Sequence, residues 1–252
     1  LQDLGTVGDA TLLDNLYLKA LYGTAFKAPA PSYLYNNGTP FGQTPIQAFA
    51  GLLPQDVSSL EFLLGADLLD SRLNISLVYF MNNVINKTGY KKTGSFIIAY
   101  NALDVKTTGI EGTVRFRWDP VDLSLGFSHQ SSKRLPPEDV EFLFDETVAF
   151  PELMLNANLT LDLSFAQSYL NVEFQYIGER TGFPFNQSGV TELRTTRYTL
   201  GAYKLINLTL SSYELDLFGE DFTTTFVFTI RNLLEEQYQY PGFQMSYGID
   251  LP

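Results

Sequence analysis

Hydrophobic and polar residues alternate with a period of two along much of the chain. The clearest stretch lies in 152–165, where from Leu155 onwards leucine, alanine and phenylalanine at odd positions alternate with asparagine, threonine, aspartate and serine at even positions. Successive side chains of a β-strand point to opposite faces, so this pattern predicts a strand with one apolar and one polar face. Its length exceeds the roughly five or six residues of a typical soluble strand. It matches the roughly nine to eleven residues that cross a bilayer at a tilt.

We predict nine antiparallel strands from this alternation. They cover residues 15–27, 59–69, 72–82, 104–118, 121–131, 152–165, 169–179, 198–213 and 222–232. The connections between strands alternate in length, with tight turns predicted at 70–71, 119–120, 166–168 and 218–221 and long loops at 28–58, 82–104, 132–151 and 180–197. All long loops therefore emerge at one end, which is typical of outer-membrane barrels. The fold class is therefore all-β. A soluble β-sandwich is the alternative, but long strands with a polar second face favour an antiparallel transmembrane β-barrel.

Composition agrees with a sheet that faces lipid on one side. The chain is 45% hydrophobic and 14% aromatic but only 17% charged, against about a quarter charged in a typical soluble domain. We expect the aromatic residues to form girdles at the membrane interfaces, with Trp118 at headgroup level beside the turn at Asp119; an ordinary core tryptophan is the alternative. The lack of cysteine excludes disulfides and thiol chemistry. A net charge of -12 argues against a nucleic-acid partner.

Six segments carry recognisable motifs. They are LKALYGTAFKAP at 18–29 with SYLY at 32–35, GLLPQD at 51–56 with LEFLLG at 60–65, LNISLVYF at 73–80 with NVI at 83–85, TGIEG at 108–112, YKLINL at 203–208, and IRNLLEEQY at 230–238 with PGF at 241–243. In this order they resemble the C-terminal part of the barrel of TonB-dependent outer-membrane receptors. Two positions depart from the family pattern: Gln55-Asp56 follows Pro54 where glutamate is usual, and Leu234-Glu235 replaces phenylalanine and aspartate.

The resemblance implies a 22-stranded barrel around an N-terminal plug that carries the TonB box. The nine predicted strands resemble strands 13 to 21, so the plug and the final strand are expected to lie outside residues 1–252. We expect the chain to be an incomplete segment, either truncated or completed by other chains, because an open barrel edge in lipid leaves backbone groups unsatisfied.

The function implied is uptake of a scarce ligand, such as siderophore-bound iron, cobalamin or a glycan, across the bacterial outer membrane. The partners implied are outer-membrane lipid and lipopolysaccharide, the remainder of the barrel and plug, TonB through that plug, and a small-molecule ligand. A receptor-like barrel that serves as a structural scaffold subunit of a larger outer-membrane complex is the alternative.

Few residues suggest other chemistry. His129 is the only histidine, so a barrel hydrolase or a zinc site would rest on it; we expect a polar tip at the membrane boundary instead. The glycines of 109–112 precede no helix, which excludes a nucleotide motif. We therefore predict no catalytic residue, metal site or cofactor, and no motif identifies the ligand-binding residues.

Two clusters of charge fall in the predicted long loops. An acidic run at Glu138, Asp139, Glu141, Asp145 and Glu146 lacks the spacing of a calcium loop, and a solvated loop is the preferred interpretation over a site for calcium or lipopolysaccharide-bridging cations. Arg180, Arg194 and Arg197 form a modest basic cluster at the loop end. It is a candidate for an anionic ligand such as a ferric siderophore, with scattered surface arginines as the default.

Six Asn-X-Ser/Thr sequences occur, at Asn37, Asn74, Asn86, Asn158, Asn186 and Asn207. A secreted glycoprotein would explain them. Three of them, at 74, 158 and 207, fall inside predicted strands, where residues i and i+2 share a face. A polar strand face produces such pairs without glycosylation, so we discount the glycoprotein interpretation.

Overall fold

The fold is described from a computed structural model. It describes residues 9–13, 15–31, 34, 39–41, 44–47, 51–93, 96–135, 150–182, 198–213, 215, 217 and 223–240. Fourteen strands lie in these ranges, with a short 3-10 turn at Ser164–Ala166.

Most strands form one antiparallel sheet, in the order β1-β2-β5-β6-β7-β8-β9-β10-β13-β14. Their bounds are β1 Asp9–Leu13, β2 Leu16–Lys27, β3 Thr39–Phe41, β4 Thr44–Gln47, β5 Gln55–Leu68, β6 Leu73–Thr93, β7 Phe96–Trp118, β8 Val121–Leu135, β9 Leu153–Leu163, β10 Ser168–Ile177, β11 Arg180–Gly182, β12 Tyr198–Leu200, β13 Tyr203–Ser212 and β14 Val227–Ile230. The hairpin β3–β4 joins the sheet through a parallel pairing of β4 with β7. Among the described residues the sheet is open, since no ladder joins β1 to β14.

Tight connections at one end of the sheet agree with the prediction. Leu69, Asp70 and Ser71 all have positive φ in the turn between β5 and β6, and the turn at Asp119-Pro120 joins β7 to β8. Gln167 has a φ of 47° after the 3-10 turn that leads into β10. The predicted turn at 218–221 lies outside the described residues.

Several predictions about the strands and loops were wrong in detail. The predicted loop 28–58 contains β3, β4 and the start of β5, while β8 extends into 132–151 and β11 lies in 180–197. The region 82–104 is not a loop, because β6 and β7 continue as a paired hairpin to Thr93 and Phe96. A β-bulge at Asn86, where φ is 58°, shifts the register and hides this continuation from the alternation pattern. The segment 198–213 is two strands, since β12 pairs with β11 in a separate sheet. β14 covers only 227–230, and β1 adds a tenth strand to the main path.

The two faces of the sheet differ as the alternation predicted. Along β7, Ile110, Val114 and Phe116 share the apolar face, whereas Glu111 and Arg115 lie on the polar face. Large apolar side chains remain exposed on the apolar face of every long strand from β2 to β8. The largest apolar patch of a typical monomeric soluble protein covers only about 300–600 Å², so a continuous face of this kind indicates contact with lipid.

Candidate functional site

A row of polar side chains crosses the polar face from strand to strand. The register aligns them as direct neighbours, and the row consists of Asp67, Asn74, Arg115, Ser124, Asn158, Glu173 and Asn207. Hydrogen bonds link several members to their neighbours: Asn74 donates to Asp67, and Asn207 Nδ2 donates to Glu173 Oε2 over 3.2 Å. Asn158 Oδ1 accepts from Asn171 Nδ2 over 2.9 Å. The three in-strand asparagines of the Asn-X-Ser/Thr sequences therefore lie on one polar strand face and are each hydrogen-bonded there, as the strand-face interpretation predicted.

Arg180 is buried at the loop end of this face. It begins β11, directly after β10, and its side chain is only 7% exposed. The guanidinium Nη2 donates to the carbonyl of Gln239 over 3.0 Å and lies 5.0 Å from the ring centroid of Tyr203. Its Nε has no hydrogen-bond partner, and no acidic side chain in the described part of the chain forms an ion pair with it. Burying an uncompensated charge costs several kcal/mol, so this side chain is suited to receive an anionic group.

Aromatic rings extend the site beside Arg180. Tyr203 stacks on Tyr238 with 4.5 Å between ring centroids, and Tyr238 meets Tyr240 edge to face at 5.5 Å. A side-chain hydrogen bond in which the Tyr240 hydroxyl donates to Tyr238, and secondly burial, raise the pKa of Tyr240 above its ordinary value. Tyr240 therefore stays neutral through the physiological range. The cluster combines one cation with flat apolar rings that end in hydroxyl groups.

Two cavities open beside this cluster. A cavity of about 470 Å³ lies between the loop ends of β8, β9 and β10 and is lined by Gln130, Glu152, Tyr176 and Arg180 among others. A second cavity of about 990 Å³ is lined by Tyr203, Tyr238, Asn232 and Glu235 among others. Both volumes fall near the roughly 300–1,000 Å³ of small-molecule sites. Arg180 and the tyrosines thus lie where a ligand has room to bind.

Asn232 shapes the chain that lines the second cavity. Its φ is 51°, a left-handed conformation that asparagine tolerates better than most residues. Its side chain donates to the carbonyl of Glu236 over 3.0 Å and accepts from the N–H of Glu236 over 2.9 Å. Its own N–H donates to Asn207 Oδ1 over 2.9 Å. The motifs at 203–208 and 230–238 are therefore joined by the pairs Asn207–Asn232 and Tyr203–Tyr238.

The glycines of the TGIEG motif allow aromatic rings to lie against the backbone. A Cβ at Gly109 would collide with the ring of Phe80 from β6 and would lie 2.7 Å from the carbonyl oxygen of His129. A Cβ at Gly112 would collide with the ring of Phe127 from β8. Between them, Glu111 accepts a hydrogen bond from Ser128 over 3.2 Å. The motif thus serves strand packing, which is consistent with excluding a nucleotide site.

The remaining sequence candidates do not join this site. His129 is exposed on the apolar face opposite Ile110, in the position that the alternation predicted. Trp118 is 51% exposed at the turn end, with the Arg72 guanidinium 4.3 Å from its ring centroid. Arg194, Arg197 and the acidic run at 138–146 lie outside the described residues.

Sequence reasoning named Arg180 but missed its aromatic neighbours. The only available signal was that Tyr203 and Tyr238 each belong to a motif. Across the ranges given above, no group of three or more histidine, aspartate or glutamate side chains is placed to hold a metal ion. No helix there is long and apolar enough to cross a membrane.

Comparison with known proteins identifies the fold. The family model described as "TonB dependent receptor-like, beta-barrel" matches residues 7–233. The chain belongs to this family. No curated protein sequence is significantly similar to the chain.

Solved structures of TonB-dependent receptors share the fold at low sequence identity. The FrpB iron transporter from Neisseria meningitidis is 14% identical with a TM-score of 0.68, covering 92% of this chain and 34% of its own. The pyoverdine outer membrane receptor FpvA from Pseudomonas aeruginosa is 16% identical with a TM-score of 0.70. The match covers 94% of this chain and 32% of the receptor chain. The siderophore receptor PirA from Acinetobacter baumannii is 17% identical with a TM-score of 0.66. The match covers 91% of this chain and 36% of the receptor chain. The chain spans about a third of the length of these structures, so it corresponds to part of one barrel.

Membership in the TonB-dependent receptor family assigns the two faces of the sheet. In outer-membrane barrels the apolar face contacts lipid and the polar face lines the interior, while the long loops lie on the outer side. In that assignment the tight turns correspond to the periplasmic end. The Arg180 cluster lies at the opposite end of the sheet, directly after β10.

Proposed function

We propose that this chain forms the C-terminal wall and part of the ligand-binding mouth of a TonB-dependent outer-membrane transporter. It would act with the remainder of the barrel and an N-terminal plug that contacts TonB. The substrate would be a scarce small molecule, such as siderophore-bound iron, cobalamin or a glycan. The solved structures that share the fold include receptors for pyoverdine and a ferric catecholate, which favours an iron-siderophore.

The observation that carries this proposal is the buried Arg180 guanidinium between two cavities. A barrel that served only as a scaffold would gain nothing from a buried cation that no acidic side chain among the described residues pairs with. A ligand with carboxylate or phenolate oxygens would pair with that charge, and its flat or apolar parts would rest on Tyr203 and Tyr238. Hydrogen bonds to charged groups contribute about 1.5–3 kcal/mol each. Loss of such a bond weakens binding by roughly 10- to 100-fold.

Transport assays in a deletion strain test the proposal. The full-length receptor is returned on a plasmid, and uptake is measured for radioactive iron supplied as ferric pyoverdine or as a ferric catecholate, for labelled cobalamin and for labelled maltodextrin. We expect uptake of one of these probes that disappears when TonB is also deleted. Arg180→Met should lower the uptake at limiting probe by at least about tenfold. The matched control is Arg117→Gln, which removes an exposed arginine from the same face at the turn end.

Two results would overturn transport. One is a barrel that assembles normally yet shows no TonB-dependent uptake of any probe and no growth defect under iron or cobalamin limitation. That outcome would favour the scaffold alternative, and partner subunits would then be sought by cross-linking in the intact membrane. The other is equal loss of uptake in the Arg180 and Arg117 variants. That result would show that the cavity lined by Arg180 has no specific part in uptake.

A further inference from the structure

The smaller of the two cavities beside Arg180 is lined by residues of both charges. Its lining includes Arg180 together with Glu152 and Glu179. In the part of the chain that the structure describes, neither glutamate forms an ion pair with the guanidinium, although all three residues line one cavity of about 470 Å³. A sphere of this volume is about 10 Å across, which is the scale of a small-molecule site. The cavity therefore presents a positive group and separate negative groups to the same space.

The positive side of the smaller cavity is suited to one anionic group. Arg180 is 7% exposed, and of its five N–H donors only one makes a hydrogen bond among the described residues, from Nη2 to the Gln239 carbonyl. Its buried Nε has no partner there. Thr181 and Thr199 lie directly opposite each other in the β11–β12 pairing and line the same cavity, where they add two hydroxyl groups. A carboxylate would thus gain a charge-assisted pair and hydroxyl donors.

The negative side of the smaller cavity is suited to a cation. Glu152 immediately precedes β9, and its backbone carbonyl accepts from the Gln130 N–H over 2.8 Å, so the strand pairing fixes its position while its side chain stays exposed. The ring of Phe150 lines the same cavity and is 64% exposed. An ammonium group binds both a carboxylate and the face of an aromatic ring. A second anionic group on the ligand would instead meet Glu152 and Glu179, and like charges repel.

The second cavity has the same composition of charge. Its lining includes Arg231 together with Glu235 and Glu236. Each cavity thus has one arginine and two glutamates, a formal net charge of -1. The whole chain carries 28 acidic against 16 basic side chains, and such a field slows the approach of anions. A multiply charged anion is therefore disfavoured at both cavities, whereas a ligand with one anionic and one cationic group matches them.

We propose that the smaller cavity binds a zwitterionic ligand, with a carboxylate on Arg180 and an ammonium group between Glu152 and Phe150. This inference rests on the proposed transport function and narrows its substrate class. An extended tripeptide spans about 10 Å between its two charged ends, which matches the width of the cavity. A free peptide carries this pair of groups, and so does a peptidic arm of a ferric siderophore. A ferric tris-catecholate lacks the ammonium group and adds negative charge.

The test compares the binding of matched tripeptides to the purified full-length receptor by titration calorimetry. Trialanine carries both charges, N-acetyl-trialanine lacks the ammonium group, and trialanine amide lacks the carboxylate. Wild type should bind trialanine about tenfold more tightly than either derivative. A second probe is a tripeptide joined through a central aspartate side chain to ferric desferrioxamine. Tighter binding of this conjugate than of trialanine assigns the zwitterion to a siderophore, and equal binding assigns it to a free peptide.

Substitutions at Glu152 separate charge selection from folding. Glu152→Gln should weaken trialanine binding by about threefold, because the carboxylate is exposed, and should leave N-acetyl-trialanine unchanged. Glu152→Lys should reverse the preference, so that N-acetyl-trialanine binds more tightly than trialanine, a gain that misfolding does not produce. Arg180→Met should weaken both of these peptides and spare trialanine amide. The matched control is Asp70→Asn, which removes the same charge from an exposed turn at the other end of the sheet and keeps a residue that tolerates positive φ.

Four results contradict charge selection at this cavity. They are the absence of binding for every tripeptide probe, equal binding of trialanine and N-acetyl-trialanine, equal effects of the Glu152→Gln and Asp70→Asn substitutions, and tighter binding of a ferric tris-catecholate than of the ferric conjugate. Uptake of the two ferric probes is measured in parallel. If uptake depends on TonB and on Arg180 while Glu152→Lys leaves the preference unchanged, only the zwitterion inference fails. If no probe enters through TonB, the transport proposal itself fails.

Discussion

Replacing Asn232 by alanine should destabilise the barrel wall at the second cavity. The substitution removes two hydrogen bonds between the Asn232 side chain and the backbone of Glu236, of 2.9 and 3.0 Å. It also forces alanine into a left-handed conformation at a φ of 51°. Each lost hydrogen bond costs about 1 kcal/mol, and the left-handed conformation costs a further 1–2 kcal/mol or so. The expected decrease in the free energy of unfolding is therefore about 3–4 kcal/mol.

The control substitution is Asn232→Asp. Aspartate tolerates the left-handed conformation and keeps the oxygen that accepts from the Glu236 N–H, but it loses the donor to the Glu236 carbonyl. The expected cost is about 1 kcal/mol. The difference of about 2–3 kcal/mol between the two variants corresponds to roughly a 30- to 150-fold difference in the unfolding equilibrium.

The assay is urea unfolding of the full-length receptor in lipid vesicles, followed by the electrophoretic mobility of the folded and unfolded forms without heating. Alanine should shift the midpoint well below that of aspartate, with the slope of the transition unchanged. Equal midpoints for the two variants, or an alanine variant indistinguishable from wild type, would refute the reasoning. The motif asparagine would then not hold the turn through its side chain.

Three further predictions concern the two faces of the sheet, the packing of the strands and an exposed ion pair. Leu77→Lys places a charge on the lipid-facing side and should lower the free energy of unfolding by about 2–4 kcal/mol in vesicles, whereas Ser76→Lys on the interior face should change it by less than about 1 kcal/mol. Gly112→Ala collides with the ring of the neighbouring phenylalanine and should cost about 1–3 kcal/mol in the same assay. Removing the exposed Arg115–Asp122 ion pair, 3.4 Å long, by a double alanine substitution should change the unfolding free energy by less than about 1 kcal/mol.

The sequence predicted the membrane-crossing parts of the strands well because lipid imposes a strict alternation on them. Leu155 and Asn156 of β9 lie on the faces expected, and the tight turns follow the expected residues. Beyond the membrane this constraint disappears. The outer part of the hairpin β6–β7 continues without alternation after the bulge at Asn86, and Asn101 holds it by hydrogen bonds to the backbones of Leu53 and Asn86. These contacts depend on side chains that meet only in the folded chain.

The candidate site was only partly predictable for the same reason. Arg180 attracted attention as one of three arginines in a loop, but nothing in the sequence shows that it is buried. Tyr203 and Tyr238 are distant along the chain and meet because β13 lies beside the segment after β14. The chain leaves the strand conformation after β14 because Asn232 and Glu235 both have positive φ. A residue in the left-handed conformation cannot be recognised from the alternation of polar and apolar residues.

Motif residues and ligand residues have different physical roles in this barrel. Gly109 and Gly112 leave room for aromatic rings from the neighbouring strands. Asn232 stabilises its own turn by a hydrogen bond to the carbonyl of Glu236. None of them needs a ligand, so a scaffold and a transporter with this barrel would share them. Arg180 lies outside every motif, and its buried charge remains uncompensated by the described residues. Residues that identify the family therefore do not identify its cargo, and the choice between transport and scaffold depends on what pairs with this guanidinium.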